Sequence, residues 1–63
     1  MAIQNLGFSV RTYNCLKRAR LLTLSQIAEK TEREILHVRD LGRSSLDEIK
    51  EVLAKYQMSL KDE

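Results

Sequence analysis

Sixty-three residues with a formal net charge of +2 make one domain at most, and a chain this short buries only about 60% of its unfolded surface. A single cysteine excludes an internal disulfide, and one cysteine with one histidine is too few for a protein-held metal. No apolar run approaches the roughly 18 residues needed to cross a bilayer, and the start, MAIQNLGF, lacks the basic and apolar regions of a signal peptide.

The expected setting is therefore cytoplasmic and reducing, with no membrane partner. Met1-Ala2 ahead of a compact domain suggests a piece excised from a longer chain, and residues 1–63 are expected to form one domain. The absence of proline, the two glycines and the abundance of Leu, Ile, Lys, Glu and Arg favour helix over sheet. The expected class is all-α, a compact unit of four to five helices.

A turn of irregular or helical chain over 3–7 comes first. Ser9 is placed to cap a helix over 10–20, with Phe8 and Tyr13 as a hydrophobic staple. Thr23-Leu-Ser-Gln26 reads as a capping box for a helix over 24–29, stapled by Leu22 and Ile27. Thr31-Glu-Arg-Glu34 reads as a second box, for a helix over 32–38. Ser44-Ser-Leu-Asp47 and Ser45-Leu-Asp-Glu48 offer two overlapping versions of a third, for a helix over 44–56. Connections of two to five residues suit packed helices. A faint repeat pairs Leu16, Leu24 and Ile27 with Leu36, Leu46 and Ile49, so that each half is helix, tight turn, helix.

A period of 3.6 residues selects the expected core: Leu6, Val10, Leu16, Ala19, Leu21, Leu24, Ile27, Ile35, Leu36, Leu41, Leu46, Ile49 and Leu53, with Tyr56, Met58 and Leu60 folding back as a lid.

Charge is unevenly distributed. Residues 1–22 carry Arg11, Lys17, Arg18 and Arg20 and no acid, while all nine acids lie from Glu29 onward. That asymmetry suits either a solvated basic face or an anionic partner. On the first helix Tyr13, Leu16 and Ala19 share the anchoring side. Arg11, Asn14, Cys15 and Arg18, at i, i+3, i+4 and i+7, are expected on the outer side. A small residue between two cations would let a flat surface come close.

The second candidate is DLGRSSLDE, residues 40–48. Gly42 permits unusual backbone angles and a close approach. Beside it Arg43, Ser44 and Ser45 would bring a charge and hydroxyls to a helix start, whose unpaired N–H groups attract anions. The same residues are also explained as a turn glycine and a serine cap, and Asp47 and Glu48 already answer the helix dipole. Enzyme chemistry has little support: His37, Asp40 and Ser44, the one conceivable triad, fall in a single short turn, so no catalytic residue and no cofactor is expected. Cys15 lies among cations but reads as a small contact residue.

The segments SVRTYNCLKRA (residues 9–19), KTEREILHVRDLGRSSLDEIKEVLA (residues 30–54) and the closing MSL resemble the C-terminal domain of the bacterial RNA polymerase alpha subunit. The paired motifs V-R-x-x-N-C-L-K and L-G-x-x-S-L-x-E-I-K are specific to that family, and the match runs ungapped from about Ile3 to Leu60. The resemblance implies helix-hairpin-helix elements and a tethered domain of a nucleotidyltransferase complex. It implies binding of A+T-rich upstream promoter DNA through the minor groove, with Arg11 entering the groove. Arg11, Asn14, Cys15, Gly42, Ser45 and Glu48 would form the DNA face, with Phe8 at its margin and Arg43 and Ser44 beside it. Glu48 is expected to orient Arg11 or Asn14. Thr31, Glu32, Arg33 and Glu34 correspond to an activator-contacting patch, and Tyr13, Cys15 and Lys17 to a surface for stress regulators.

This sequence departs from the family at four places. Ser44 stands where many members carry lysine, a loss that Arg43 would offset. Arg20 replaces a small residue. Arg33 alters the charge of the activator patch. Asn5-Leu6-Gly7 lacks the acids that meet sigma factor, so that contact is the weaker expectation. The remaining polymerase subunits would be met through the parent polypeptide. The alternative reading is a regulator-docking module with little DNA binding of its own. A repair-type helix-hairpin-helix unit is disfavoured, because Leu22 holds the site where its first hairpin would want glycine.

Overall fold

The computed structural model describes residues 1–62. Four helices follow in order: α1 Val10–Arg18, α2 Leu24–Ala28, α3 Glu32–Leu36 and α4 Arg43–Lys55. Among the described residues there is no strand, and the class is all-α as expected. Residues 3–6 form turns, with Asn5 and Gly7 both at positive φ, so no fifth helix forms there.

Three helix starts are built as the sequence indicates. The Ser9 hydroxyl accepts from the Thr12 amide at 3.3 Å. Thr23 and Gln26 cap α2 reciprocally, and Thr31 and Glu34 do the same for α3. Each such cap stabilises its helix by about 1 kcal/mol, which matters for helices of only five residues that could not hold alone. The third capping box does not form. Gly42 is the N-cap of α4, which carries no side-chain cap, and the helix begins one residue earlier than expected, at Arg43.

α1 ends at Arg18, two residues sooner than expected, because Arg20 adopts φ 62°. The Leu21 amide then reaches back to the Leu16 carbonyl at 2.9 Å, and α4 closes the same way, with Gln57 at φ 60° and the Met58 amide on the Leu53 carbonyl at 2.9 Å. Both are left-handed caps followed by an apolar residue that turns inward. α2 and α3 likewise stop short, at Ala28 and Leu36.

The core gathers Ile3, Cys15, Leu16, Leu21, Leu24, Ile27, Ile35, Leu41, Leu46, Ile49, Val52 and Leu53. Leu6, Ala19, Leu36, Met58 and Leu60 pack around it, half-buried. Two expectations fail. Val10 is 76% exposed, because it is the first residue of α1 and the buried stripe of that helix runs through Thr12, Cys15 and Leu16. Tyr56 is 41% exposed and takes no part in the lid; it is the C-cap residue of α4, where the backbone leaves the helix.

The ends of the described polypeptide are tied onto the two short helices. The Ile3 amide donates to the Leu22 carbonyl at 3.1 Å and the Leu24 amide to the Met1 carbonyl at 2.9 Å; the Lys61 amide donates to the Lys30 carbonyl at 2.9 Å. α1 and α4 are thereby left to form the face described next.

Candidate nucleic-acid interface

α1 lies against the start of α4 and the turn before it, in the opposite sense. Ser9 and Thr12 meet Ser45 and Glu48, while further along α1 Cys15 and Arg18 meet Asp40. The seam on α1 thus runs through Ser9, Thr12 and Cys15, and of the stripe expected to face outward only Cys15 belongs to it.

Cys15 is the clearest correction. It is 1% exposed, and its thiol donates to the Asp40 carbonyl at 3.5 Å. It packs the hairpin against α1 from beneath and reaches no surface. The outer edge consists of Arg11, Asn14 and Arg18, all exposed. Arg18 bridges to Asp40 at 3.6 Å, with both side chains more than half exposed. Such a pair contributes little stability, but it brings the end of this edge of α1 against the turn that leads to Gly42. The Arg11 and Asn14 side chains make no hydrogen bond or ion pair with the described residues.

Of the two reasons expected for glycine at position 42, unusual backbone angles do not hold. Its φ of −97° and ψ of 180° are open to any residue, and a β-carbon built on it would meet nothing within 4 Å. Folding alone does not require glycine there. A bare Gly42 leaves the approach to the amides of residues 43–45 unobstructed, and those amides have no side-chain cap and lie at the positive end of a 13-residue helix.

Ser45 and Glu48 are also placed otherwise than expected. Ser45 is 5% exposed, and its hydroxyl oxygen lies 2.8 Å from that of Thr12. The Glu48 carboxylate accepts from the Ser9 amide, from the Ser9 hydroxyl at 3.1 Å and from the Thr12 hydroxyl at 2.9 Å. It orients neither Arg11 nor Asn14, because three donors on the α1 start claim its oxygens. Thr12 itself escaped the sequence reading. A threonine inside a helix carries no mark of burial, and only the i+3 relation to Cys15 hinted at a shared stripe.

Arg43 and Ser44 are exposed at the rim. The Arg43 guanidinium lies 3.8 Å from Glu32, whose other oxygen accepts from the Lys50 ammonium at 2.9 Å. That hydrogen bond, then the Lys50 charge, hold the Glu32 carboxyl below its ordinary 4.5, with Arg43 adding to the effect. Glu34 is lowered too, first by the hydrogen bond from the Thr31 amide. In the expected activator patch, Thr31 and Glu34 form the cap and Glu32 is held in ion pairs, and Arg33 and Glu34 are exposed to solvent. The other expected regulator surface is separate: the Lys17 ammonium sits 5.9 Å from the centre of the half-buried Tyr13 ring. Phe8, half-buried, borders it, lining a shallow groove with Tyr13, Ile3 and Val10.

The face as a whole offers an exposed guanidinium, an exposed amide side chain and the first backbone N–H groups of α4, which have no side-chain cap. The profile of a family described as the C-terminal domain of the bacterial RNA polymerase alpha subunit matches residues 1–55. A DNA-directed RNA polymerase subunit alpha from Symbiobacterium thermophilum is 48% identical over 61 residues, 97% of the present sequence. The sequence spans 19% of that relative's length.

Proposed function

The protein belongs to the family of C-terminal domains of bacterial RNA polymerase alpha subunits, and on that premise we propose that it binds A+T-rich promoter DNA through the minor groove and docks transcription regulators. Within a polymerase it would act as a non-catalytic arm of a nucleotidyltransferase in the cytoplasm. Its partners there would be the remaining subunits, activators or stress regulators and, more weakly, sigma factor.

The observation that supports this reading is an exposed Arg11, next in sequence to the Thr12 that bonds Ser45 and Glu48 in the first turns of the uncapped, glycine-fronted α4. A+T-rich tracts narrow the minor groove and deepen its negative potential, which draws in arginine. Groove-floor edges separate A·T from G·C only coarsely, so the recognition is of shape. Arg11 enters the groove, Asn14 flanks it, and the amides of residues 43–45 with Arg43 and Ser44 hold the adjacent phosphate. Cys15, Ser45 and Glu48 act from behind that surface. Regulators would meet the Tyr13–Lys17 side and the start of α3 around Arg33.

The test is an anisotropy titration of an A-tract duplex and a G·C-rich duplex of equal length. Arg11→Ala should weaken A-tract binding by about 1–3 kcal/mol, and raising salt should lower affinity roughly in proportion to the phosphates contacted. Equal binding by parent and variant removes Arg11 from the interface. If the parent binds neither duplex while still binding a regulator, the alternative of a docking module takes over.

A further inference from the structure

Thr12 is wholly buried yet polar, and it sits between the two parts of the interface. Its sequence neighbour is Arg11; its side chain touches Ser45 and Glu48 of α4. The Thr12–Ser45 contact is buried, with Ser9 and Glu48 at the edge of the cluster. A carboxylate only accepts, so the Thr12 and Ser9 protons both belong to Glu48, and the Ser45 proton is left to Thr12. The Ser9 oxygen in turn receives the Thr12 amide. Each hydroxyl thus has a partner, and no buried side-chain polar atom among the described residues lacks one.

We propose that Thr12 is a positioning residue for the interface: it clasps the start of α1 to the first turn of α4 and so fixes where Arg11 stands relative to the phosphate-facing amides of residues 43–45. This rests on the DNA-binding reading above and extends it to a residue that touches no DNA. The Thr12–Ser45 pair at the centre of the network is buried, so a shift that parts it strands a donor and an acceptor away from water, while Ser9 and Glu48 close its solvent-facing edge. An apolar contact at the same place would tolerate sliding. The Ser45 and Glu48 side chains are spent inside this clasp, so their influence on DNA passes through geometry.

The test compares Thr12→Val, which keeps the shape and removes the hydroxyl, with Thr12→Ser, which restores it. Thr12→Val should bind the A-tract duplex roughly tenfold more weakly while G·C-rich binding changes little, so the ratio of the two falls. Thr12→Ser should recover the parent ratio. A role in stability alone would lower the melting temperature and leave the ratio of the folded protein unchanged, and that result overturns the proposal.

Should Thr12→Val fail to fold, Ser45→Ala takes its place: a lost phosphate contact weakens both duplexes equally and rejects the clasp, whereas a loosened clasp lowers the ratio. Residual dipolar couplings give a readout independent of DNA, because the clasp requires the α1–α4 angle to change in Thr12→Val. A parent that does not discriminate between the duplexes sinks the proposed function. The angle then decides the clasp, and an unchanged angle rejects it.

Discussion

The two halves of this molecule solve one problem with different caps. In the first, Arg20 turns the backbone at φ 62°, Leu21 goes into the core, and Thr23 closes the start of α2 with its own hydroxyl and the Gln26 side chain. In the second, Asp40 turns the backbone at φ 66°, Leu41 goes into the core, and Gly42 brings no side chain to the start of α4. The turn and the inward leucine repeat; the cap does not. Where the amides are answered internally, the hairpin is a structural joint. Where they are left open at the head of the longest helix, the same joint carries the amides on which the proposed phosphate contact rests.

The strongest way to break this comparison is at the shared feature. Leu21→Ala and Leu41→Ala should each destabilise by about 2–5 kcal/mol, measured by urea unfolding. A large effect at one and none at the other means that the halves are not equivalent joints. The difference between them is sharpened by giving the second hairpin the first one's cap. Gly42→Thr places a β-carbon in open space on a backbone already extended, so stability should move by only about a few tenths of a kcal/mol. A-tract affinity should fall roughly tenfold, a change of about 1.4 kcal/mol. Unchanged affinity would mean that the open amides do not meet DNA.

A smaller effect lies in the first turn. Arginine is a poor tenant of the left-handed region, where aspartate is better tolerated. Arg20→Gly should therefore raise stability by about 0.5–1 kcal/mol, read as a higher melting temperature, while Asp40→Gly should do less.

The smallest effect concerns α3, which leans on α4 through Glu32 and Lys50. The Glu32 carboxyl titrates below its unfolded value. Its contribution is therefore present above the unfolded value and lost as pH falls through the lowered folded one. Both groups are substantially exposed, so the change is slight. The gap in melting temperature between parent and Glu32→Gln should be small at neutral pH and close in acid. A gap that widens in acid reverses the assigned sign.

Much of this was readable in residue order alone. Ser9, Thr23 and Thr31 announce helix starts because a cap is a bond between neighbours three residues apart, and proximity along the backbone guarantees it. The leucines and isoleucines of the core follow from helical period for the same reason. Of the two reasons expected for Gly42, unusual backbone angles are excluded, since its φ and ψ are ordinary, and the missing side chain is the one that stays.

What order alone could not decide was which side of α1 faces inward. Thr12, Cys15 and Leu16 form the seam while Val10 faces water, because the phase of a short amphipathic helix is set by what packs against it. Nor could it give Ser45 and Glu48 their partners, which lie 33 to 39 residues away. Capping and periodicity are local and survive translation into a string of letters. The clasp between α1 and α4, and with it the spacing of Arg11 from the open helix start, exists only once the two halves have closed on a common core.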